Sequence, residues 1–230
     1  MEQIKIIARI HTDFKTKFGI PRQSGVVEEL RGEIIFEPEF RNADAVRGLE
    51  DFSHIWLIWQ FSENLRADWS PTVRPPRLGG NTHVGVFATR SPFRPNSIGL
   101  SSVKLEGIEY SEEKGPILHV SGADMMDGTP IFDIKPYIPY ADCHPEASGG
   151  FTDKTQFNTL GVVILEEMES KISQDKLIAL KGILENDPRP HYQNDPERVY
   201  GFEFAGMEIH FRVCENTLTV IDVSEVKNEA

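Results

Sequence analysis

HIWLIWQF, residues 54–61, is the stretch on which the fold prediction depends. Aromatic, β-branched and large aliphatic residues dominate it, and such residues are typical of strands. Because polar side chains do not alternate regularly with apolar ones, we expect a core strand that is buried on both faces. Its tryptophans are therefore interpreted as packing residues and not as ligand contacts.

The segments around this run predict a mainly β protein. Short runs of β-branched and apolar residues recur, and proline, glycine and an Asp127-Gly128 pair separate them, which favours tight turns. Long helices do not alternate with these runs, so the sequence predicts an antiparallel barrel or sandwich and not a βαβ sheet. A short helix is expected at residues 44–50, capped by Asn42 or Asp44. The predicted strands are residues 4–10, 33–36, 54–61, 83–88, 98–108, 116–121 and 130–138.

The pattern changes after residue 140. A polar, glycine-rich linker leads to a segment compatible with one more strand, then to two helices and a small antiparallel meander. We expect a β-barrel domain over residues 1–145, extended to about residue 172, followed by a small α/β domain over residues 173–230. The expected elements are a strand within 156–163, helices at 165–172 and 174–184, and strands at 199–204, 207–213 and 217–221.

Composition limits the possible partners and the location. The net charge of −12 argues against broad, non-specific binding of nucleic acid. Two cysteines do not make a disulfide framework and fit a reducing cytoplasm. The first residues, MEQIKIIARI, lack the pattern of a signal peptide, and no apolar run approaches the ~20 residues of a membrane helix. We therefore expect a cytoplasmic protein with no membrane association.

One long stretch departs from the acidic character of the chain. Residues 69–105 contain no aspartate or glutamate. Such a basic island is typical of a site for a specific anionic ligand, but acids from elsewhere in the fold could equally compensate it. The charge pattern leaves both interpretations open. The basic residues of the island are Arg74, Arg77, His83, Arg90, Arg94 and Lys104.

The centre of the island is GVFATRSPFRPNSIGLS, residues 85–101. Arg90 follows an apolar run, and Pro92 and Pro95 stiffen the chain on either side of Arg94. Guanidinium groups bind carboxylate or phosphate with two hydrogen bonds, and a stiff backbone loses less entropy when it holds them. This bracing favours a binding role over simple neutralisation of nearby acids.

Other clusters are weaker on their own. Residues 124–137 bring several carboxylates close to Lys135, and these could hold ribose hydroxyls, stabilise a cation or act as a base. Spacing alone favours a hairpin turn and an Asp133–Lys135 salt bridge. Residues 187–192, DPRPHY, could stack on a nucleobase or end a helix. Cys143 and His144 have no second pair at zinc-like spacing, so no metal site is predicted. Dinucleotide-binding, P-loop, nucleophile-elbow and zincin motifs are absent from the sequence.

Taken together, these stretches resemble the TsaA-like or TrmO-like tRNA methyltransferases. The resemblance implies an antiparallel β-barrel that binds S-adenosylmethionine, usually as a homodimer and without a metal. It implies N6-methylation of N6-threonylcarbamoyladenosine at position 37 of tRNA, with a small C-terminal domain that helps to hold the tRNA. The matching segments, in order, are IPRQSG, NADAVRGLEDFSHIWLIWQF, PTVRPPRLGGNTHVGVFATRSPFRPNSIGLS, DGTPIFDIKPYIPYAD and DPRPHY.

The resemblance also suggests roles for single residues. The expected cofactor-binding residues are Pro21, Arg22, Gln23, Ser62, Glu63, Arg90, Leu100, Asp124, Met125, Met126 and Asp127. Asp133 is the first candidate for a general base, with Lys135 or Tyr137 tuning it, and Asp127 is the second. The expected substrate-binding residues are Arg74, Arg77, Arg94, Arg189, His191 and Tyr192. Ser62 stands where the family often has histidine, which weakens any need for a base there.

Two other classes of function remain open from the sequence. The barrel could bind S-adenosylmethionine or RNA without catalysis, or it could methylate a small metabolite. Some barrels with related motifs lack the C-terminal domain and its DPRPHY run, residues 187–192 here. The presence of that run favours tRNA as the substrate.

Overall fold

The protein consists of a closed six-stranded barrel and a C-terminal four-stranded sheet with a helix. A computed structural model describes residues 4–64, 69–79, 81–154, 159–189 and 195–226. The mainly β architecture that the sequence predicts is confirmed. Within the described ranges, no helix is long and apolar enough to cross a membrane.

The barrel strands pair only with antiparallel neighbours. Their order around the barrel is β1-β2-β7-β6-β3-β8, and β8 pairs with β1 to close it. The remaining two strands, β4 and β5, form a separate ribbon. The strands of this half of the chain are β1 (Ala8–Thr12), β2 (Arg31–Phe36), β3 (His54–Gln60), β4 (Thr72–Val73), β5 (Val84–Gly85), β6 (Ile98–Ser111), β7 (Gly115–Ser121) and β8 (Thr129–Pro136).

Strand β3 is buried on one face only, so the expectation of burial on both faces was wrong. Ile55, Leu57 and Trp59 point into the barrel, whereas Trp56 and Ile58 stay half-buried on its outer face. The reason is closure. A six-stranded barrel has a single apolar interior, and the aromatic and branched side chains on its outer wall remain in contact with solvent. The fully buried interior is built mainly from Ala8, Ile10, Ile34, Ile55, Leu57, Leu118 and Ile131.

Two local predictions are also corrected. The apolar run at residues 83–88 forms only the short β5, because the chain then turns into a 3-10 helix, Val86–Ala88. The expected helix at residues 44–50 is two 3-10 turns, Ala43–Val46 and Leu49–Asp51, which are separated by a left-handed Gly48. The side chain of Asn42 accepts the backbone N–H of Asp44, as expected of its cap.

The C-terminal domain is a sheet in the order β10-β11-β12-β9 with a helix packed against it. Tight turns at Gly206 and at residues 215–216 join its antiparallel strands, as the sequence predicts. The short strand at residues 161–163 pairs in parallel with β12, so it belongs to this sheet and not to an extension of the barrel. Helix α1 (Pro139–Asp142) follows β8 and lies beside the barrel, where Trp56 Nε1 donates to the Asp142 carboxylate at 3.0 Å. The elements of the C-terminal domain are β9 (Gly161–Val163), α2 (Glu166–Glu169), α3 (Gln174–Glu185), β10 (Tyr200–Phe204), β11 (Met207–Cys214) and β12 (Thr217–Glu225).

The connection between β1 and β2 joins the two domains. Phe14 is 1% exposed and belongs to the apolar core of the C-terminal domain, where its ring lies 5.3 Å from that of Phe204. The Asp13 carboxylate accepts from Lys176 Nζ at 2.5 Å, and the Asp13 carbonyl accepts the N–H of Ala205 at 3.1 Å. A loop that leaves the barrel is therefore held by the sheet of the other domain.

Gly99, in β6, allows the Trp59 ring of the neighbouring strand β3 to pack directly against the β6 backbone. The two residues are paired in the sheet, and a Cβ atom added at Gly99 would collide with the Trp59 ring. Trp59 is 6% exposed, so its indole has little room to move.

We expect Gly99→Ala to destabilise the barrel by about 2 kcal/mol, because overpacking of a dense core forces ring and backbone to shift. Gly85→Ala is the matched control, since nothing lies within 4 Å of an added Cβ and its φ of −58° suits alanine. Urea unfolding followed by circular dichroism measures both. Equal unfolding midpoints for the two variants would show that the indole moves freely.

Candidate active site

One open cleft of about 1760 Å³ lies at the end of the barrel. Its walls come from the connections that follow β1, β3 and β7 and from the first residues of β6 and β8. Because neighbouring strands are antiparallel, these connections all emerge at the same end of the barrel. Loops at the rim of a rigid barrel are a common location for binding sites.

The cleft gathers most residues that the sequence singled out, although they lie far apart in the chain. Nearly all of the expected cofactor residues line it, together with two of the arginines expected to bind substrate. The residues concerned are Pro21, Arg22, Gln23, Ser62, Glu63, Arg74, Arg90, Arg94, Leu100, Asp124, Met125 and Met126.

Arg90 and Gln23 connect two of the cleft-forming loops. The Arg90 guanidinium donates a hydrogen bond to the side-chain carbonyl oxygen of Gln23. The backbone of the next residue of that loop, Ser24, and the positive charge of Arg90 both act to lower the pKa of the Asp124 carboxyl. The β1–β2 loop, the 85–101 segment and the residues after β7 therefore meet at one point.

Asp124 is the terminal acceptor of a buried hydrogen-bond chain. The Trp59 indole Nε1–H donates to Ser101 Oγ at 3.0 Å, and the Ser101 hydroxyl donates to Asp124 Oδ1 at 2.6 Å. Burial raises the pKa of Asp124, while the Ser101 hydroxyl and the charge of Arg90 act in the opposite direction. The sequence did not reveal Trp59 or Ser101 as site residues, because each is an ordinary core position of its strand.

The C-terminal domain supports the β1–β2 loop where it enters the cleft. Gly19 has a φ of +95°, and a Cβ atom added there would lie 2.5 Å from the Phe202 ring. Phe18 packs edge-on against the same ring at 6.1 Å. Arg22 Nη2 donates to the carbonyl of Arg189 at 3.2 Å. These contacts fix the backbone that presents Gln23 and Ser24 to the barrel.

The arginines of the basic island have different settings. Arg94 Nη1 donates to the Thr89 carbonyl at 3.0 Å, which holds its side chain along the turn. Arg74 is exposed, and its Nε donates to His83 Nε2 at 2.8 Å. Arg77 follows in a 3-10 turn, and its side chain is outside the part that the structure describes. Arg74 and Arg94 thus present positive charge within the cleft walls.

Asp127 lies outside this cleft, in a second, polar depression. Its carboxylate pairs with Lys15 Nζ at 2.6 Å and His11 Nδ1 at 3.1 Å, and it accepts the Thr12 N–H at 3.2 Å. Partial burial acts to raise the pKa of Asp127, but the hydrogen bond and charge of Lys15 outweigh it and the pKa is lowered. Because this carboxylate faces the second depression, it is not in position to contact a ligand of the cleft.

Asp133, Lys135 and Tyr137, the three candidate catalytic residues within DIKPY (residues 133–137), do not line the cleft. Asp133 and Lys135 lie on the outer face of β8 as a 3.0 Å ion pair, which is the salt bridge that their spacing favoured. Tyr137 follows toward the opposite end of the barrel, where its ring lies 5.6 Å from that of Trp56. Ile58 of β3 is paired with Asp133 of β8 on one side and with Leu100 of β6 on the other. Two strand spacings, about 10 Å, therefore separate the Asp133 backbone from that of Leu100 at the cleft wall.

The DPRPHY segment is described only in part. Arg189 is 8% exposed and forms two hydrogen bonds with the Asp187 carboxylate, at 2.8 and 3.0 Å. Its guanidinium also lies 5.9 Å from the centre of the Tyr200 ring. This burial makes Arg189 a support for the β1–β2 loop in this structure and not an exposed substrate contact. His191 and Tyr192 lie outside the described residues.

Several cleft residues were not predicted from the sequence. They include Lys17, Phe87, Phe93 and Phe151. Lys17 Nζ donates to the Glu63 carbonyl at 2.9 Å, and Phe151 comes from the glycine-rich linker between the domains. Phe87 and Phe93 lie in the braced 85–101 stretch, where the sequence drew attention only to the arginines, whereas Lys17 and Phe151 lie in no distinguishing pattern. Within the described ranges, no cluster of three or more His, Cys, Asp or Glu side chains could hold a metal ion.

Comparison with known proteins gives a consistent result along the chain. Residues 9–143 match the family model of the tRNA-methyltransferase O N-terminal domain, and residues 157–226 match that of the TrmO C-terminal domain. A tRNA (adenine(37)-N6)-methyltransferase of Escherichia coli is 38% identical, covering 93% of this chain and 94% of the relative.

A sequence relative and a solved structure from Pseudomonas aeruginosa extend the comparison. A putative S-adenosylmethionine-dependent methyltransferase, RcsF, is 38% identical over 95% of this chain and 96% of its own. The crystal structure of TrmO from this organism is 33% identical and superposes with a TM-score of 0.79, covering 97% of this chain and 98% of that one. Both domains and their arrangement in sequence are therefore shared.

We expect Gly19→Ala to weaken the binding of S-adenosylmethionine, the cofactor that the resemblance implies, about tenfold. The added methyl group collides with Phe202 and displaces the loop that carries Gln23. Gly25→Ala is the matched control, because its φ of +74° carries similar backbone strain but nothing lies within 4 Å of the added Cβ. Isothermal titration calorimetry measures both affinities, and equal affinities would contradict the supporting role of the C-terminal domain.

Proposed function

This chain belongs to the tRNA-methyltransferase O family, and on that basis we propose that it is an S-adenosylmethionine-dependent tRNA methyltransferase. The proposed acceptor is N6 of N6-threonylcarbamoyladenosine at position 37. The observation that carries the proposal is the convergence of Gln23, Arg90 and Asp124 at one rim of the cleft, beside exposed arginines. We further propose that it acts in the cytoplasm.

The described residues fit S-adenosylmethionine by their chemistry. The Asp124 carboxylate, oriented by Ser101, suits the hydroxyls of a ribose. Leu100 is 54% exposed on the cleft wall and offers an apolar surface for an adenine ring. Arg90 offers a guanidinium to a carboxylate. The cleft is large enough for a nucleoside cofactor and a second nucleoside together. When bound, S-adenosylmethionine supplies the methyl group from its sulfonium.

Transfer to a urea nitrogen requires removal of a proton. The lone pair of N6 is delocalised, so a bond from N6 to the methyl carbon forms well only as the N6 proton leaves, while the carbon–sulfur bond breaks. A carboxylate that accepts this proton balances the reaction. Asp133 is our first candidate for this base. The pKa of Tyr137 is raised, first by removal from water and then by Cys143 and Asp142, so its hydroxyl stays protonated and does not serve as the base.

A homodimer is the arrangement we propose to bring Asp133 to the acceptor. Within one subunit, strand β3 lies between Asp133 of β8 and Leu100 of β6 on the outer face of the barrel. That wall carries the half-buried rings of Trp56 and Tyr137 and the exposed side chain of Leu100. A second copy packed on this face could present its own Asp133 to the cleft of the first. Sedimentation analysis of the purified protein measures the oligomeric state directly.

The arginines of the cleft suit the anionic substrate. The threonyl group of the proposed acceptor carries a carboxylate, and the surrounding tRNA carries phosphates. Arg94 is fixed along its turn by the Thr89 carbonyl, whereas Arg74 is exposed at the rim. We propose Arg94 as the partner of the threonyl carboxylate and Arg74 as a phosphate contact. The acid-free stretch of residues 69–105 then faces tRNA on an otherwise acidic protein.

We expect the purified protein to methylate tRNA that carries threonylcarbamoyladenosine and to leave tRNA with unmodified A37 unchanged. Nucleoside mass spectrometry after incubation with S-adenosylmethionine detects the product as a gain of one methyl group. Binding of S-adenosylmethionine without methylation of either tRNA would favour a non-catalytic barrel. Methylation of a free small molecule alone would favour the metabolite alternative.

We expect Asp133→Asn to lower kcat by about 100-fold or more, because it removes the proton acceptor, while the KM for S-adenosylmethionine stays near that of the parent. Glu39→Gln is the matched control, since Glu39 also forms an exposed ion pair, 2.6 Å from Lys5 Nζ. Steady-state rates with modified tRNA measure both variants. Full turnover by Asp133→Asn would remove this residue as the base.

A further inference from the structure

Two aromatic rings stand exposed at the rim of the cleft. Trp69 is 50% exposed and Phe87 is 73% exposed, and their ring centroids lie 6.2 Å apart with an interplanar angle of 29°. Phe87 also lines the cleft. Large apolar side chains grouped at a cleft rim usually mark an interaction site. Neither ring has a role in the binding of the cofactor or in the proton transfer described above.

The backbone holds this pair of rings in place. Strands β4 and β5 pair Thr72 with Gly85, and the Val86 N–H donates to the Pro71 carbonyl at 2.9 Å, so the two segments run side by side. Val86 is 1% exposed and anchors the 3-10 turn from which Phe87 projects outward. The rings are therefore displayed by an anchored ribbon.

The electrostatic surroundings favour a nucleic acid as the occupant. Residues 69–105 contain no acidic side chain, and the exposed Arg74 lies on the same ribbon, next to Val73 of β4. Aromatic rings combined with arginine and without carboxylates are typical of surfaces that bind single-stranded nucleic acid, because bases stack on the rings and phosphates pair with the cations.

We propose that Trp69 and Phe87 form a stacking platform for a nucleotide of the anticodon loop that neighbours the target adenosine. This inference rests on the proposed function and names a substrate contact of the same cleft. An adenosine that enters the cleft must leave the stack of the loop, and its neighbour loses a stacking partner. A ring pair at the rim replaces that lost stacking and fixes the loop beside the cleft.

Fluorescence of Trp69 gives a direct test. The chain has three tryptophans, and Trp69 is the one that stands exposed at the cleft rim. A synthetic anticodon stem-loop RNA with unmodified adenosine at position 37 should quench tryptophan emission in the parent protein. We expect Trp69→Ala to remove most of this quenching and to raise the Kd for the RNA about tenfold, as loss of one base–ring stack predicts. Trp69→Phe keeps a ring and should restore most of the affinity.

The control is Tyr110→Ala, an aromatic residue with 60% exposure near the far end of β6. It should leave RNA binding unchanged. The affinity for S-adenosylmethionine should be the same in all variants. A normal RNA Kd for Trp69→Ala would overturn the platform, as would a weaker cofactor affinity or a changed oligomeric state, which would assign the rings to the cofactor site or to a second copy.

The outcome is separable from the proposed function because RNA binding needs no methyl transfer. A parent protein that methylates tRNA while Trp69→Ala binds RNA normally refutes the platform alone. A parent protein whose Trp69 is quenched by the RNA, but which never methylates modified tRNA, refutes the proposed reaction alone.

Discussion

The packing of the β1–β2 loop between two domains is the contact on which the site depends. Phe14 is buried in the C-terminal core, and Phe202 closes over Gly19 further along the same loop. The segment that follows then reaches back to the barrel through Gln23 and Ser24. An isolated loop of this length would sample many conformations, and ordering it would cost binding free energy. The C-terminal domain supplies that order before any ligand arrives.

The closed barrel supplies the other fixed side of the cleft. Its antiparallel order sends the ends of β1, β3 and β7 to one rim, so residues distant in sequence become neighbours there. The chain from Trp59 through Ser101 to Asp124 begins inside the barrel and ends at the cleft. A carboxylate oriented from a packed core is held more precisely than one on a surface loop, which suits recognition of hydroxyl groups.

Local sequence patterns predicted most strands, a barrel or sandwich, and the braced arginine turn, because strand composition and turn chemistry are local properties. Most of the other cleft residues were expected only from the family resemblance. The burial of only one face of β3 could not be predicted, since it depends on the pairing of β3 with β6 and β8 in a closed barrel. The partners of Asp127 come from the β1 region, more than a hundred residues away in the chain. The outward position of Asp133 follows from a register shift beside Ile58. Such non-local contacts leave no signature in a single sequence.

In the proposed complex, the acidic protein presents its acid-free stretch, residues 69–105, to tRNA and the inner rim of the cleft to the methyl donor. Nucleoside mass spectrometry of tRNA from cells that lack this gene tests it most directly. We predict that N6-methylated threonylcarbamoyladenosine disappears, that unmethylated threonylcarbamoyladenosine remains, and that a plasmid copy of the gene restores the methylated form. Persistence of the methylated nucleoside in the deletion cells would contradict the account.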